Sequence, residues 1–119
     1  SIAAMAAIRA DETDIKNILT ACENTEKLLL ANKNHAEKDI AFHTAIALSS
    51  KNIVVPKLVP IINSSIPLIR ESAKFTMRDE TIEIHREIAD AIAAHDAVRA
   101  HDAMYLHLIY NRKHIKSIN

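Results

Sequence analysis

The chain has 119 residues, which fits a single domain over 1–119, and its 15 basic residues balance its 15 acidic ones. This balance argues against a DNA-binding surface, and no apolar run is long enough to span a bilayer. The chain contains no glycine, which sheet proteins usually need for tight turns, so composition favours an all-α fold.

The first residues and the cysteine content indicate how the chain was processed and in which compartment it is expected. The chain does not begin with Met and lacks the basic start of a signal peptide, so we expect a fragment or a processed protein. Cys22 is the only cysteine, so no internal disulfide can form and a reducing cytoplasm is the expected compartment. Cys22 lies on an apolar stripe, where a small buried hydrophobe is its expected role.

The first half of the chain predicts three helices. Residues 1–10 are interpreted as the end of a first helix that starts before Ser1, and Thr13 is the expected N-cap of a second, whose apolar stripe continues to Leu29. Polar residues at 31–34 interrupt the pattern. A third helix is expected over 35–48, and the polar run 49–52 ends it.

The segment 53–75 is strongly apolar but contains Pro56, Pro60 and Pro67. Its β-branched start at 53–55 would also suit a strand. Pro56 suits a first helical turn, whereas the other two prolines would bend a helix. We interpret the segment as one kinked helix.

Two further helices complete the prediction. Acidic residues at 79 and 80 suit the positive end of a fifth helix, which carries apolar residues from Ile82 to Ile92. A break near Asp96 leads to a last helix through Ile115. The sequence therefore predicts an antiparallel bundle of about six to seven helices.

Inward-facing polar residues on three of these helices suggest a metal site. Asp39 and His43 are four residues apart, so they share one face of the third helix. His85 and His107 lie within the apolar stripes of the fifth and last helices. If the chain turns near Asp96, both lie about 16 Å along their helices from the turn and therefore at one level.

Three nitrogens and one carboxylate suit a divalent metal, with zinc the first choice and nickel, manganese or iron as alternatives. A single inward histidine is usually a hydrogen-bonded core residue. Three of them beside an aspartate would be costly to bury without a bound ion.

The remaining histidines have structural interpretations. His35 and His95 stand at helix ends, where we expect solvated or capping side chains. His101 lies about 240° around the last helix from His107 and so faces away from the predicted site. His114 lies two turns beyond His107.

Several segments resemble the FCD domain, the all-helical C-terminal domain of FadR-type regulators in the GntR family. Residues 39–43, with Ile46 and Asn52, resemble its D-x-x-F-H…I…N signature. Residues 85–92 resemble its H-x-x-I-x-x-A-I segment, and residues 96–108 its closing D…A…M…H-L. Residues 7–10 and 14–15 resemble its opening A-x-R-A…D-I. Together the matches span nearly the whole chain.

The resemblance implies a helical bundle around a pocket, with a metal ion at its base in the metal-binding members. The family's metal positions correspond to Asp39, His43, His85 and His107, and their presence argues against the acyl-CoA-binding branch. A small carboxylate or hydroxy-carboxylate metabolite would bind over the metal. The family's winged-helix domain is absent from this chain, so DNA binding would belong to the parent protein.

An anionic effector on a metal needs cations or amide donors nearby. Arg70 and Asn63 are seven residues apart and could face one pocket, Asn111 lies one turn beyond His107, and Arg9 matches the family's opening arginine. Each could equally be a surface or capping residue. The sequence leaves open whether the chain forms a homodimer.

Two other functions compete with sensing. A metal-dependent hydrolase could use the open coordination position to activate water, but the chain has no H-E-x-x-H motif and no evident general base. A helical bundle that only makes protein contacts is the third interpretation. Metal analysis would separate this last function from the first two.

Overall fold

The computed structural model describes residues 1–65, 67 and 78–118, with side chains as far as residue 112. Within these residues the chain forms helices and no strand, which confirms the predicted all-α fold. The helices are α1 (Ile2–Arg9), α2 (Glu12–Leu30), α3 (Ala36–Ser49), α4 (Val55–Ser64), α5 (Arg78–Ala93) and α6 (Ala97–Ile118). None of the described helices is both long and apolar enough to cross a membrane.

The short helix α1 packs against α3, α5 and α6. Its buried residues are Ala3, Ala6 and Ala7. Because an alanine side chain is a single methyl group, the backbones of neighbouring helices can approach α1 closely. The three neighbours are the helices that carry the predicted metal ligands, so α1 positions them around a common centre.

The N-terminus of α2 differs from the prediction that Thr13 caps it. The N-cap is Asp11, whose Oδ1 accepts a hydrogen bond from the Asp14 amide at 2.8 Å, while the Asp14 Oδ2 accepts one from the Asp11 amide at 3.0 Å. This reciprocal pair satisfies two amides that the helix cannot satisfy itself. Lys51 also contacts the Asp14 carboxylate at 2.6 Å, which joins α2 to the end of α3.

We expect Asp11→Ala to lower the free energy of unfolding by about 1 kcal/mol, because it removes the N-cap acceptor. Urea denaturation followed by circular dichroism measures this change. The control is Thr13→Ala, at an exposed position inside the helix, which should change stability by less than about 0.5 kcal/mol. Equal losses in both variants would contradict the capping assignment.

The apolar segment after α3 begins with a helix that differs from the prediction at its start. Residues 53 and 54 form a turn rather than a strand, and α4 starts at Val55 and ends at Ser64. Pro56 lies in the first turn, where its missing amide costs nothing, and Pro60 lies inside the helix. The remainder of the predicted kinked helix, up to residue 75, falls outside the described residues except for Ser65 and Pro67.

Left-handed residues terminate three helices in this glycine-free chain. Asn32, Lys51 and His95 have φ of 54°, 57° and 55°. A helix commonly ends in such a residue, and glycine usually provides it because a β-carbon is disfavoured there. The chain therefore accepts a small conformational cost at these helix ends.

Helices α5 and α6 are joined by the tight turn predicted near Asp96. The His95 amide donates to the Ile92 carbonyl at 3.0 Å, and the Asp96 amide donates to the Ala91 carbonyl at 2.9 Å. Arg99 on α6 pairs with Glu87 on α5 at 2.6 Å. The turn and the ion pair fix the register of the two helices.

Cys22 belongs to the buried core, as expected for a small hydrophobe. Burial raises the pKa of its thiol to about 11, and the charges of Glu26 and Asp90 add to the rise. The thiol is therefore neutral at physiological pH and packs as an apolar group.

Candidate metal centre

Three helices bring the predicted metal ligands together. Asp39 and His43 lie one turn apart on α3, His85 lies near the middle of α5, and His107 lies near the middle of α6. His85 and His107 are 2% and 3% exposed, and their ring centroids are 5.0 Å apart. Their equal distance from the turn at residues 94–96 sets them at one level of the α5–α6 pair.

The donor atoms of these residues converge on one point. Asp39 Oδ1 is 3.3 Å from His43 Nε2 and 3.3 Å from His85 Nε2. His107 Nε2 is 3.3 Å from His43 Nε2. One donor nitrogen from each of the three histidines lies within 4.8 Å of those of the other two.

These separations match those of a metal site. A tetrahedral ion about 2.0–2.1 Å from each donor holds the donors about 3.3 Å apart. Three of the six donor pairs have this separation, and the donor nitrogens of the three histidines all lie within 4.8 Å of one another. The spacing of these three pairs is therefore compatible with a divalent ion held between the side chains.

Unsatisfied buried atoms give a second reason to favour a metal. Asp39 Oδ1 and His85 Nε2 are buried, yet neither has a hydrogen-bond partner among the described residues. Their 3.3 Å contact is close but is not aligned as a hydrogen bond. Buried polar atoms in folded proteins nearly always have a partner, and a shared cation would supply one to both.

The protonation states of the cluster also suit metal binding. Burial lowers the pKa of His85 to about 3 and that of His107 to about 4, and neighbouring imidazoles add to both shifts. Burial alone would raise the pKa of Asp39, but the contact with His43 and the charges of His85 and His107 outweigh it and bring that pKa to about 2. At neutral pH Asp39 is therefore a carboxylate and the imidazoles of His85 and His107 are unprotonated, the forms that bind metal.

Phe42 forms an apolar wall beside the cluster. Its side chain is fully buried, and its ring centroid lies 5.3 Å from that of His43 and 4.7 Å from that of His85. The aromatic ring limits the rotation of both imidazoles. It also keeps water from that side of the donors, which strengthens their attraction for a cation.

The described residues include three of the four predicted effector contacts, and these three lie on different helices. The Arg9 guanidinium donates to the Ser50 carbonyl at 3.0 Å, at the far end of α3. Asn63 is exposed on α4, and Asn111 is half-buried on α6, one turn after His107. Arg70 lies outside the described residues.

A cavity of about 910 Å³ adjoins the centre through His107. Its described lining comes from α2, α5 and α6, and includes Tyr110 and Leu106 beside His107. Arg9, Asn63 and Asn111 are not among the described lining residues. The volume is within the range of small-molecule sites in proteins.

Of the other described histidines, His35 is more buried than expected. His101 is exposed and contacts the Ser1 hydroxyl at 2.9 Å, and His95 Nδ1 lies 2.8 Å from the Ala7 carbonyl. His35, expected to be solvated or capping, is only 6% exposed and makes no side-chain capping bond. It lies four residues before Asp39 and eight before His43, so its spacing already placed it on the inward face of α3. The His114 side chain lies outside the described residues.

Comparisons with known proteins agree with these observations. The model of the FCD domain family matches residues 1–109. The uncharacterized HTH-type transcriptional regulator YcbG of Bacillus subtilis is 29% identical over 109 residues, which are 91% of this chain and 47% of that protein. A solved structure described as Streptococcus agalactiae GntR is 33% identical, with a TM-score of 0.79, over 94% of this chain and 52% of the other. The chain thus spans about half the length of these relatives.

Proposed function

Because this chain belongs to the FCD domain family, the effector-binding domain of GntR-type regulators, we propose that it holds a divalent metal ion and senses a small carboxylate metabolite. The ligands would be Asp39, His43, His85 and His107, with zinc the first choice and nickel, manganese or iron as alternatives. The observation that supports this most is the 3.3 Å separation of Asp39 Oδ1 and His85 Nε2, two buried atoms that have no hydrogen-bond partner among the described residues.

The charge of the site explains why it would attract an acid. Asp39 contributes one negative charge, and His85 and His107 are neutral at physiological pH. A bound divalent ion supplies a Lewis-acidic positive charge for the effector carboxylate. The cavity lined by His107 adjoins the site and is large enough for a small acid.

The relatives suggest what this domain does in the longer parent protein, because they are transcriptional regulators about twice its length. We propose that the half of the relatives not matched by this chain corresponds to a winged-helix DNA-binding domain. The parent would act in the cytoplasm, where an effector that binds two domain arrangements unequally would bias operator binding. The family is a regulatory one, so a hydrolase is not favoured.

A thermal-shift screen tests the proposal. We expect at least one small carboxylate or hydroxy-carboxylate to stabilise the zinc-loaded protein by about 2.7 kcal/mol at a concentration one hundred times its Kd. The same acid should lose most of this effect after chelation, because its carboxylate would no longer meet a metal. The metal-free protein with the same acid is the control.

The opposite pattern would replace sensing with catalysis. If no acid stabilises the metal-loaded protein while ester, phosphate or amide substrates show metal-dependent turnover, the sensing proposal is wrong. If the protein retains no divalent metal after dialysis against buffer, the proposed centre itself is wrong.

A further inference from the structure

The short helix α1 runs antiparallel to α6, in a register that two contacts fix. At the end of α1, the Ala7 carbonyl is 2.8 Å from His95 Nδ1, just before α6 begins. At its start, the Ser1 hydroxyl is 2.9 Å from His101 Nδ1. As α1 is followed backward toward Ser1, its neighbours on the other helix therefore come later in the chain. A helical continuation of α1 before Ser1 would run along α6 beyond His101.

The part of α6 beyond His101 carries two large exposed side chains on that side. Tyr105 lies one turn after His101, and Leu108 lies almost one turn after Tyr105 on the same side of the helix. Each of the two is 58% exposed. We call them the α6 apolar face. The Tyr105 and His101 rings stack with centroids 6.3 Å apart, so contacts already lead from Ser1 through His101 to this face.

The length of the relatives indicates what could cover the α6 apolar face. This chain spans 47% of the Bacillus subtilis regulator and 52% of the Streptococcus agalactiae structure. In the proposed arrangement the DNA-binding half comes before this domain, so the connection reaches Ser1 past Tyr105 and Leu108. Singly exposed hydrophobes are common on protein surfaces. An apolar face next to the entry point of another domain instead fits a covering segment.

From this register we infer that α1 begins before Ser1 in the parent protein, and that its preceding two turns pack on Tyr105 and Leu108. Four residues of added helix extend it by about 6 Å and reach the level of Tyr105. Seven residues extend it by about 10.5 Å and reach the level of Leu108. The inference rests on the proposed function, which places the DNA-binding domain before this chain.

A segment in this position would contact the helix that carries a candidate metal ligand. His107 stands between the two exposed residues nearest the segment, with Leu108 directly after it. A small shift of α6 on metal or effector binding would move Tyr105 and Leu108 against the segment. The segment leads to the DNA-binding domain, so it would give the candidate metal centre a direct physical connection to that domain.

Thiol labelling measures whether the α6 apolar face is covered. Leu108→Cys is made in the 119-residue chain and in the full-length parent, and its reaction with a maleimide is followed by mass spectrometry. Cys22 is buried and its pKa is raised to about 11, so it contributes little background. We expect the thiol at position 108 to react at least about tenfold more slowly in the parent, because a packed segment excludes the reagent.

Val98→Cys is the matched control. Val98 is 72% exposed on α6, but its position in the chain falls between His95 and His101, alongside α1 itself. Its thiol should react equally fast in the two proteins. Proline at the fourth position before Ser1 in the parent should restore fast labelling of Leu108→Cys, because proline interrupts the interior of a helix.

Three results would overturn the inference. The first is equal labelling of Leu108→Cys in the parent and in the 119-residue chain. The second is protection that persists with the proline, since another part of the parent would then cover the face. The third is protection that disappears on dilution, since a second copy would then cover it. None of these measurements uses metal or effector, so the thermal-shift screen decides metal-dependent sensing separately.

Discussion

Replacing His85 with alanine is expected to lower the affinity for zinc at least about 100-fold. The His85 Nε2 lies 3.3 Å from Asp39 Oδ1 in the middle of the cluster, and the side chain is 2% exposed. Its loss removes one of three nitrogen donors and leaves Asp39 and the other two histidines around an incomplete site. No nearby side chain on α5 could replace it, because residues one or two positions away face other directions.

Competition with a chromophoric chelator measures this affinity, and circular dichroism shows whether the variant is folded. His101→Ala is the matched control, since His101 is exposed on α6 and its ring hydrogen-bonds to the Ser1 hydroxyl, away from the cluster. It should bind zinc as the parent sequence does. Equal zinc affinity in the two folded variants would refute the assignment of His85 as a ligand.

Replacing Phe42 with alanine is expected to have the largest effect on stability, about 3–5 kcal/mol. Phe42 is the largest fully buried side chain among the described residues, and its ring contacts the rings of His43 and His85. Truncation would leave a void in a core otherwise built from aliphatic residues. For a domain stable by about 5–15 kcal/mol, this is a large fraction of the total.

Urea denaturation of the metal-free protein measures the loss. Tyr105→Ala is the control, because Tyr105 is 58% exposed on α6 and should change stability by less than about 0.5 kcal/mol. Phe42→Ala should also weaken zinc binding, because two of the imidazoles lose the wall that orients them. A loss of stability similar to that of Tyr105→Ala would contradict the buried role of Phe42.

The sequence by itself determined the helical class and singled out four polar residues whose side chains the structure places side by side. The spacing of apolar residues gave the approximate positions of α2, α3, α5 and α6, because an amphipathic helix repeats its buried face within the segment itself. His85 and His107 are equally far along the chain from the turn at Asp96, and this spacing can be counted in the sequence. It predicted that the two imidazoles lie at the same level of the α5–α6 pair.

The tertiary structure decided which polar atoms meet. The convergence of donors at 3.3 Å depends on α1, whose alanines allow α3, α5 and α6 to approach one another, and no residue of α1 is itself a ligand. Likewise, Arg9 contacts Ser50 because α1 packs beside α3. Helical periodicity specifies the face on which a side chain lies, but its partners come from segments far away in the chain. These contacts therefore follow only from the packed arrangement of the helices.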